Sequence, residues 1–146
     1  MTLQTDSPEV LHVAILVRDV QEAAGRLEKL LGIAPWRIFE PDFRDLTVCG
    51  RPARYKVRIG LAMAGPVQLE LIQLLSGDSV YDEFIRQKGY GLHHLGLRTS
   101  NIEESIKKME ANGFRVIQSG NRPGVSWAYF SPEDSTGVIL EFLEYS

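Results

Sequence analysis

Cysteine is nearly absent from this chain of 146 residues, and a lone Cys49 leaves no possibility of an intrachain disulfide. Long apolar runs are absent as well. None approaches the roughly 20 residues that cross a bilayer as a helix, so no membrane partner is expected. Positive charge is not in excess: the formal net charge is −3, which argues against nucleic acid as a partner. The stretch from Met1 to Pro8 reads as a loose lead-in with neither the basic nor the apolar part of a secretory signal. One cysteine and no such signal lead to the expectation of a cytoplasmic protein. Composition excludes disorder, because 44% of residues are hydrophobic and 24% charged, the ordinary balance of a globular domain.

What is present is one module written twice. Gly91-Leu92-His93-His94-Leu95-Gly96-Leu97-Arg98 reads as a short strand followed by a helix start. Leu11-His12-Val13-Ala14-Ile15-Leu16-Val17-Arg18 has the same layout. Aligning His12 with His94 lays Asp19-Val20-Gln21-Glu22-Ala23 on Asn101-Ile102-Glu103-Glu104-Ser105.

In the first copy, Val10 to Val17 alternates. Leu11, Val13, Ile15 and Val17 form the face expected to pack on helices, and His12, Ala14 and Leu16 the other. Asp19 is placed to cap a helix, with Glu22 three residues later, and Gly32 ends it. Ala34 to Glu40 reads as a strand, and Pro41 to Pro52 as an irregular flap over a site. Arg54 to Met63 and Val67 to Leu74 alternate on either side of a Gly65-Pro66 turn. Asp78 or Ser79 caps a short linking helix that ends at Lys88-Gly89.

The second copy opens with His94, Gly96 and Arg98 on one face and His93, Leu95 and Leu97 on the packing face. A helix follows from Ile102 to Asn112. Strands are expected at Phe114 to Ser119, Val125 to Ser131 and Val138 to Tyr145, with turns at Gly120 to Gly124 and Pro132 to Gly137. Each copy is thus β-α-β-β-β. The fold class expected is α+β in a single domain: module one over about 9–76, a linker helix over 78–89 and module two over about 91–146.

The closing strands match too. Val67-Gln68-Leu69-Glu70-Leu71 parallels Val138-Ile139-Leu140-Glu141-Phe142, each with a glutamate in mid-strand. A half-buried strand seldom carries a central carboxylate without a partner, because desolvating it is costly. If the modules pair about a twofold axis, His12, Glu70, His94 and Glu141 converge. Two imidazoles and two carboxylates suit one divalent metal ion per chain: Zn, Ni, Co, Mn or Fe.

On Leu11-His12-Val13-Ala14, Leu69-Glu70-Leu71-Ile72, the linker Asp78-Ser79 to Lys88-Gly89, Gly91-Leu92-His93-His94 and Gly137-Val138-Ile139-Leu140-Glu141, the sequence resembles the vicinal oxygen chelate superfamily. That family includes glyoxalases, bleomycin-resistance proteins and dioxygenases, and the likeness is strongest to its methylmalonyl-CoA epimerase-like members. The resemblance spans nearly the whole chain. It implies two paired βαβββ modules forming a cupped mixed sheet with helices outside, and a metal held by His12, Glu70, His94 and Glu141. Family members often dimerise, so a homodimer is expected.

The resemblance further implies removal of a proton next to a carbonyl, with the metal stabilising the enolate. The epimerases resembled carry a glutamate base on the strand before Glu70, whereas Ala53 to Gly60 holds no acid. The base is therefore expected to be Glu70 or Glu141, as in glyoxalase-type members, ahead of Lys56. By alternation Arg54, Lys56, Arg58 and Arg98 share the ligand face, with Lys56, Arg58 and Arg98 expected to bind a small anionic substrate, an acyl-CoA thioester among the possibilities. Phe43, Trp127 and Tyr129 are expected in the core or the pocket wall. Three readings stand: a metal-dependent isomerase, epimerase or lyase; an iron-dependent dioxygenase; and a non-catalytic binding or resistance protein.

Overall fold

The computed structural model describes residues 7–131 and 137–146. Most of the expected lead-in, residues 1–6, and most of the expected turn, 132–136, lie outside the described residues. The elements run β1 (Val10–Leu16), α1 (Val20–Leu31), β2 (Arg37–Phe39), β3 (Arg44–Val48), β4 (Arg51–Pro52), β5 (Tyr55–Ala64), β6 (Val67–Gly77) and α2 (Val80–Lys88). Then come β7 (Gly91–Arg98), α3 (Ile102–Ala111), β8 (Val116–Arg122), β9 (Val125–Phe130) and β10 (Ile139–Tyr145).

The ten strands among the described residues form one mixed sheet in the order β2-β5-β6-β1-β7-β10-β9-β8-β3-β4. β1 is parallel to β6, β7 is parallel to β10, and β1 and β7 meet antiparallel in the middle. The two copies therefore join through their matching first strands, in mirrored order. β2 and β3 lie toward opposite ends of this sheet, yet only residues 40–43 separate them in the chain. Such a connection reaches at most about 18 Å. The sheet must curl until its ends approach, and the Arg122 guanidinium of β8 lies 5.7 Å from the centre of the Phe39 ring of β2.

The segment 44–52, within the Pro41 to Pro52 stretch expected to be an irregular flap, is instead ordered. It is a hairpin, β3 and β4, that leaves module one and pairs with β8 of module two. Cys49 and Gly50 both take positive φ at its tip, the geometry of a tight hairpin turn. Nothing in its own alternation reports this, because its partner strand is far along the chain. β8 also runs through Gly120 to Arg122, where a turn is expected; only Pro123 and Gly124 turn.

The helices take two positions. Asp19 accepts the Glu22 N–H at the start of α1, and Gly32 ends it in the left-handed region. α1 lays Val20 and Ala24 against Leu71, Ile15 and Val17 on the outer face. α3, capped by Asn101, packs outside against β9 and β10. α2, capped by Ser79, turns inward and buries Tyr81 against Tyr55, His93 and Tyr129. This covering makes the inner face of β1 the more buried one: His12, Ala14 and Leu16 are 2%, 0% and 1% exposed. Among the described residues, no helix is long and apolar enough to cross a membrane.

Candidate metal centre

Four adjacent strands each send one side chain to a common point: His12 from β1, Glu70 from β6, His94 from β7 and Glu141 from β10. The register explains the convergence. Ala14 opposes both Glu70 and His94, while Gly96 opposes both His12 and Glu141. Side chains on opposed residues share a face.

The Nε2 atoms of His12 and His94 are 3.2 Å apart. Glu141 Oε1 lies 3.0 Å from the first and 3.1 Å from the second. Glu70 Oε1 stands back, 3.7 Å from each. Metal–nitrogen and metal–oxygen bonds of about 2.1 Å put two ligands about 3 Å apart at a right angle and about 3.4 Å apart in a tetrahedron. The tighter separations have this size. Two buried imidazole nitrogens aimed at each other, with carboxylate oxygens beside them, fit a divalent transition ion.

The electrostatics have the same origin. Burial alone would lower the His12 pKa, but Glu70 and Glu141 outweigh it and hold the group at about 9. Burial would raise Glu141, yet His94 and His12 bring it down to about 2. A proton on His12 and an ion in the centre therefore compete for the same nitrogen.

His93 departs from the alternation. Ala14 opposes His94 but Ile15 opposes Leu92, so His93 is the extra residue of a bulge. The bulge turns its side chain inward instead of to the outer packing face. Its Nδ1 lies 2.7 Å from His94 Nδ1. Around it stand Tyr81, Phe84 and Tyr129. Trp127 and Tyr129 line the same interior, with Tyr129 4.6 Å from His94 by ring centres, and Phe43 packs edge-on against Tyr55 and Trp127. Burial drives the Tyr129 and Tyr81 hydroxyls, hydrogen-bonded to each other, well above the usual tyrosine pKa. Tyr81 carries no signal in the sequence, since its helix was expected only to link the modules.

The cationic residues divide. Leu61 opposes Glu70 and Ile59 opposes Ile72, so Tyr55, Val57, Ile59 and Leu61 form the inner wall of β5. The expectation that Arg54, Lys56 and Arg58 share the ligand face is therefore corrected. A wall covered by α2 must be apolar, and the charged set turns outward. Arg58 reaches Glu40 at 3.6 Å, and Lys56 is exposed. Arg54 and Lys56 line a cavity of 530 Å³ with Phe43 and Tyr55, away from the four convergent residues. Arg98 is on the ligand face, opposite Leu143. With Val10, Met63, Gln68 and Tyr145 it lines a cavity of 310 Å³, and Gln68 is the register partner of His12.

The model of the Glyoxalase/Bleomycin resistance protein/Dioxygenase superfamily matches residues 11–130. The uncharacterized protein YqjC of Bacillus subtilis (strain 168) is 29% identical over 136 residues, covering 91% of this chain and 89% of that one. The mitochondrial methylmalonyl-CoA epimerase of Bos taurus is 23% identical, covering 89% of this chain and 70% of the other. The crystal structure of methylmalonyl-CoA epimerase from Mycobacterium tuberculosis shares the fold, with a TM-score of 0.70, 20% identity, and coverage of 100% of this chain and 93% of that one.

Proposed function

The chain belongs to the Glyoxalase/Bleomycin resistance protein/Dioxygenase superfamily, and from that premise we propose a divalent-metal-dependent epimerase, isomerase or lyase. Its reaction is removal of a proton next to a carbonyl of a small anionic substrate. An acyl-CoA thioester is the substrate class that the likeness to methylmalonyl-CoA epimerase supports.

The observation that carries this reading is the inequality of the two carboxylates. Glu141 is buried and within 3.1 Å of both imidazoles, whereas Glu70 stands 3.7 Å from both with its side chain 14% exposed. His12, His94 and Glu141 would hold the ion tightly, with Glu70 as its looser fourth ligand. A divalent ion bound there supplies positive charge to carbonyl oxygens and lowers the barrier to an enolate. Glu70, farther from both imidazoles and slightly exposed, is the residue that takes the proton on a carboxylate oxygen. Arg98, at the mouth beside Gln68, orients the substrate's anionic group, and α2 with its aromatic side chains excludes water from the interior.

A second reading has its own support. The inner wall of β5 beside Glu70 carries Tyr55, Val57, Ile59 and Leu61 and no acid, which suits a module that binds an anion without turning it over. Either way we read the protein as a cytoplasmic homodimer; the exposed Leu30, Leu31 and Leu92 support an interface.

Elemental analysis of protein purified without chelator or metal-affinity resin, followed by mass spectrometry of methylmalonyl-CoA in deuterium oxide, tests the proposal. One transition ion per chain and ion-dependent deuterium uptake at the α-carbon are the expected results. Absence of any bound or acquired ion overturns the metal reading, and an ion with tight thioester binding but no exchange selects the binding module.

A further inference from the structure

The bulge in β7 sets two imidazoles side by side in the interior. His93 and His94 are 3% and 0% exposed, and their Nδ1 atoms are 2.7 Å apart. That separation is a hydrogen bond, so one Nδ1 carries the proton and the other accepts it. The other nitrogens break the tie. His94 Nε2 faces His12 Nε2 and Glu141 Oε1, the converging point of the site. His93 Nε2 is buried without a hydrogen-bond partner among the described residues. Its ring stands edge-on to Phe84, 4.8 Å between centres, and 5.2 Å from Tyr81. Those surroundings tolerate an N–H against a ring face better than a bare lone pair, which has nothing to accept from.

We propose that His93 is a positioning residue for His94: its Nδ1 accepts the His94 Nδ1–H, so that His94 presents an unprotonated Nε2 toward the metal centre. This deepens the metal reading given above and rests on it. The choice of an imidazole as the supporting group has a chemical consequence. A metal-bound histidine usually donates its second N–H to a carboxylate, a backbone carbonyl or water. Here Glu70 and Glu141 already supply the two negative charges that balance a divalent ion. A third carboxylate behind His94 would make the centre anionic and oppose charge developing on a substrate oxygen. A neutral imidazole fixes the tautomer and adds no charge. The bulge is what makes this possible, since a regular strand would send the neighbour of His94 to the opposite face.

The test uses the full chain with His93→Leu and His93→Asn. Leucine removes the acceptor, while the asparagine side-chain oxygen can take the place of Nδ1. Zinc and cobalt affinities are measured by chelator competition, alongside cobalt absorption spectra and thermal melting. His93→Leu is expected to weaken binding about 10- to 100-fold and to alter the cobalt spectrum, with His93→Asn restoring most of the affinity. Long-range proton–nitrogen correlation spectra of the zinc-bound wild type, in which the ion takes the place of any proton on His94 Nε2 beside Glu141, read the tautomers directly. The expected pattern is a proton on His94 Nδ1 and on His93 Nε2, and none on His93 Nδ1. The reverse pattern overturns the proposal, as does wild-type affinity in His93→Leu or equal loss in both variants tracking their melting temperatures. Failure of the wild type to bind zinc or cobalt overturns the metal reading and this proposal with it, whereas a proton on His93 Nδ1 in zinc-bound protein overturns this proposal alone.

Discussion

The His12 imidazole lies so close to Gly96 that a Cβ built there would fall 2.3 Å from Cε1 and 2.4 Å from Nε2. Gly96 opposes His12 on one side and Glu141 on the other, so its missing side chain is the space in which the two meet. Gly96→Ala is expected to force the ring aside, lowering stability by about 1–3 kcal/mol and metal affinity at least about tenfold. Gly25 in α1 is the control. A Cβ there meets nothing within 4 Å, and Gly25→Ala should stabilise by roughly 0.5–1 kcal/mol. Thermal unfolding and chelator competition on both variants check the contrast.

The two carboxylates should separate by substitution. Glu141→Gln removes the charge held against both imidazoles and should lose the ion, together with all proton exchange. Glu70→Gln should keep most of the ion while slowing exchange by roughly 10²-fold or more. Metal content beside deuterium incorporation distinguishes them. Unchanged exchange in Glu70→Gln with its ion in place would remove Glu70 from the role of base.

The pH dependence of stability should change shape with metal. His12 is raised from 6.5 to about 9, so in chelated protein its contribution is complete below pH 6.5 and lost as pH rises through 9. His93 is lowered by burial, with His94 adding to it, from 6.5 to about 2. It stays neutral when folded and gains a proton when unfolded, so stability also falls as pH drops from 6.5 toward 2. Glu141, lowered to about 2, adds to the acid loss below 4.5. Chelated protein should therefore melt highest near pH 6.5. With the ion in place His12 is already unprotonated, and the loss between 6.5 and 9 should disappear. Melting curves across this range, with and without zinc, are the check.

The arginines differ in aim, and their variants should differ in effect. Arg98→Gln at the mouth beside Gln68 should raise the KM for an anionic thioester about tenfold with little change in kcat, as loss of one charge-assisted contact would. Arg58→Gln, on the outer face against Glu40, should leave both constants unchanged. A KM shift in Arg58→Gln alone would place the entrance on the other side of the sheet.

The sequence by itself determined the local and repeated features of this protein. The period-two alternation of β1 and β10, the cap at Asp19, the choice of Asp78 or Ser79 for the next helix, and the duplication that pairs His12 with His94 and Glu70 with Glu141 each lie within one short segment or its copy. The four residues could be read because a duplicated strand places equivalent side chains at equivalent points about the axis. Tertiary structure decided whatever depends on a distant partner. Whether β5 turns Tyr55 or Lys56 inward is settled by its register with β6, and the alternation of β5 alone is satisfied either way. The hairpin 44–52 is a strand pair only because β8 offers it an edge, and α2 lies inside only because the curled sheet leaves room for Tyr81. His93 reaches His94 because β1 pairs across β7 with one residue to spare, and no pattern within β7 records the spacing of its neighbour.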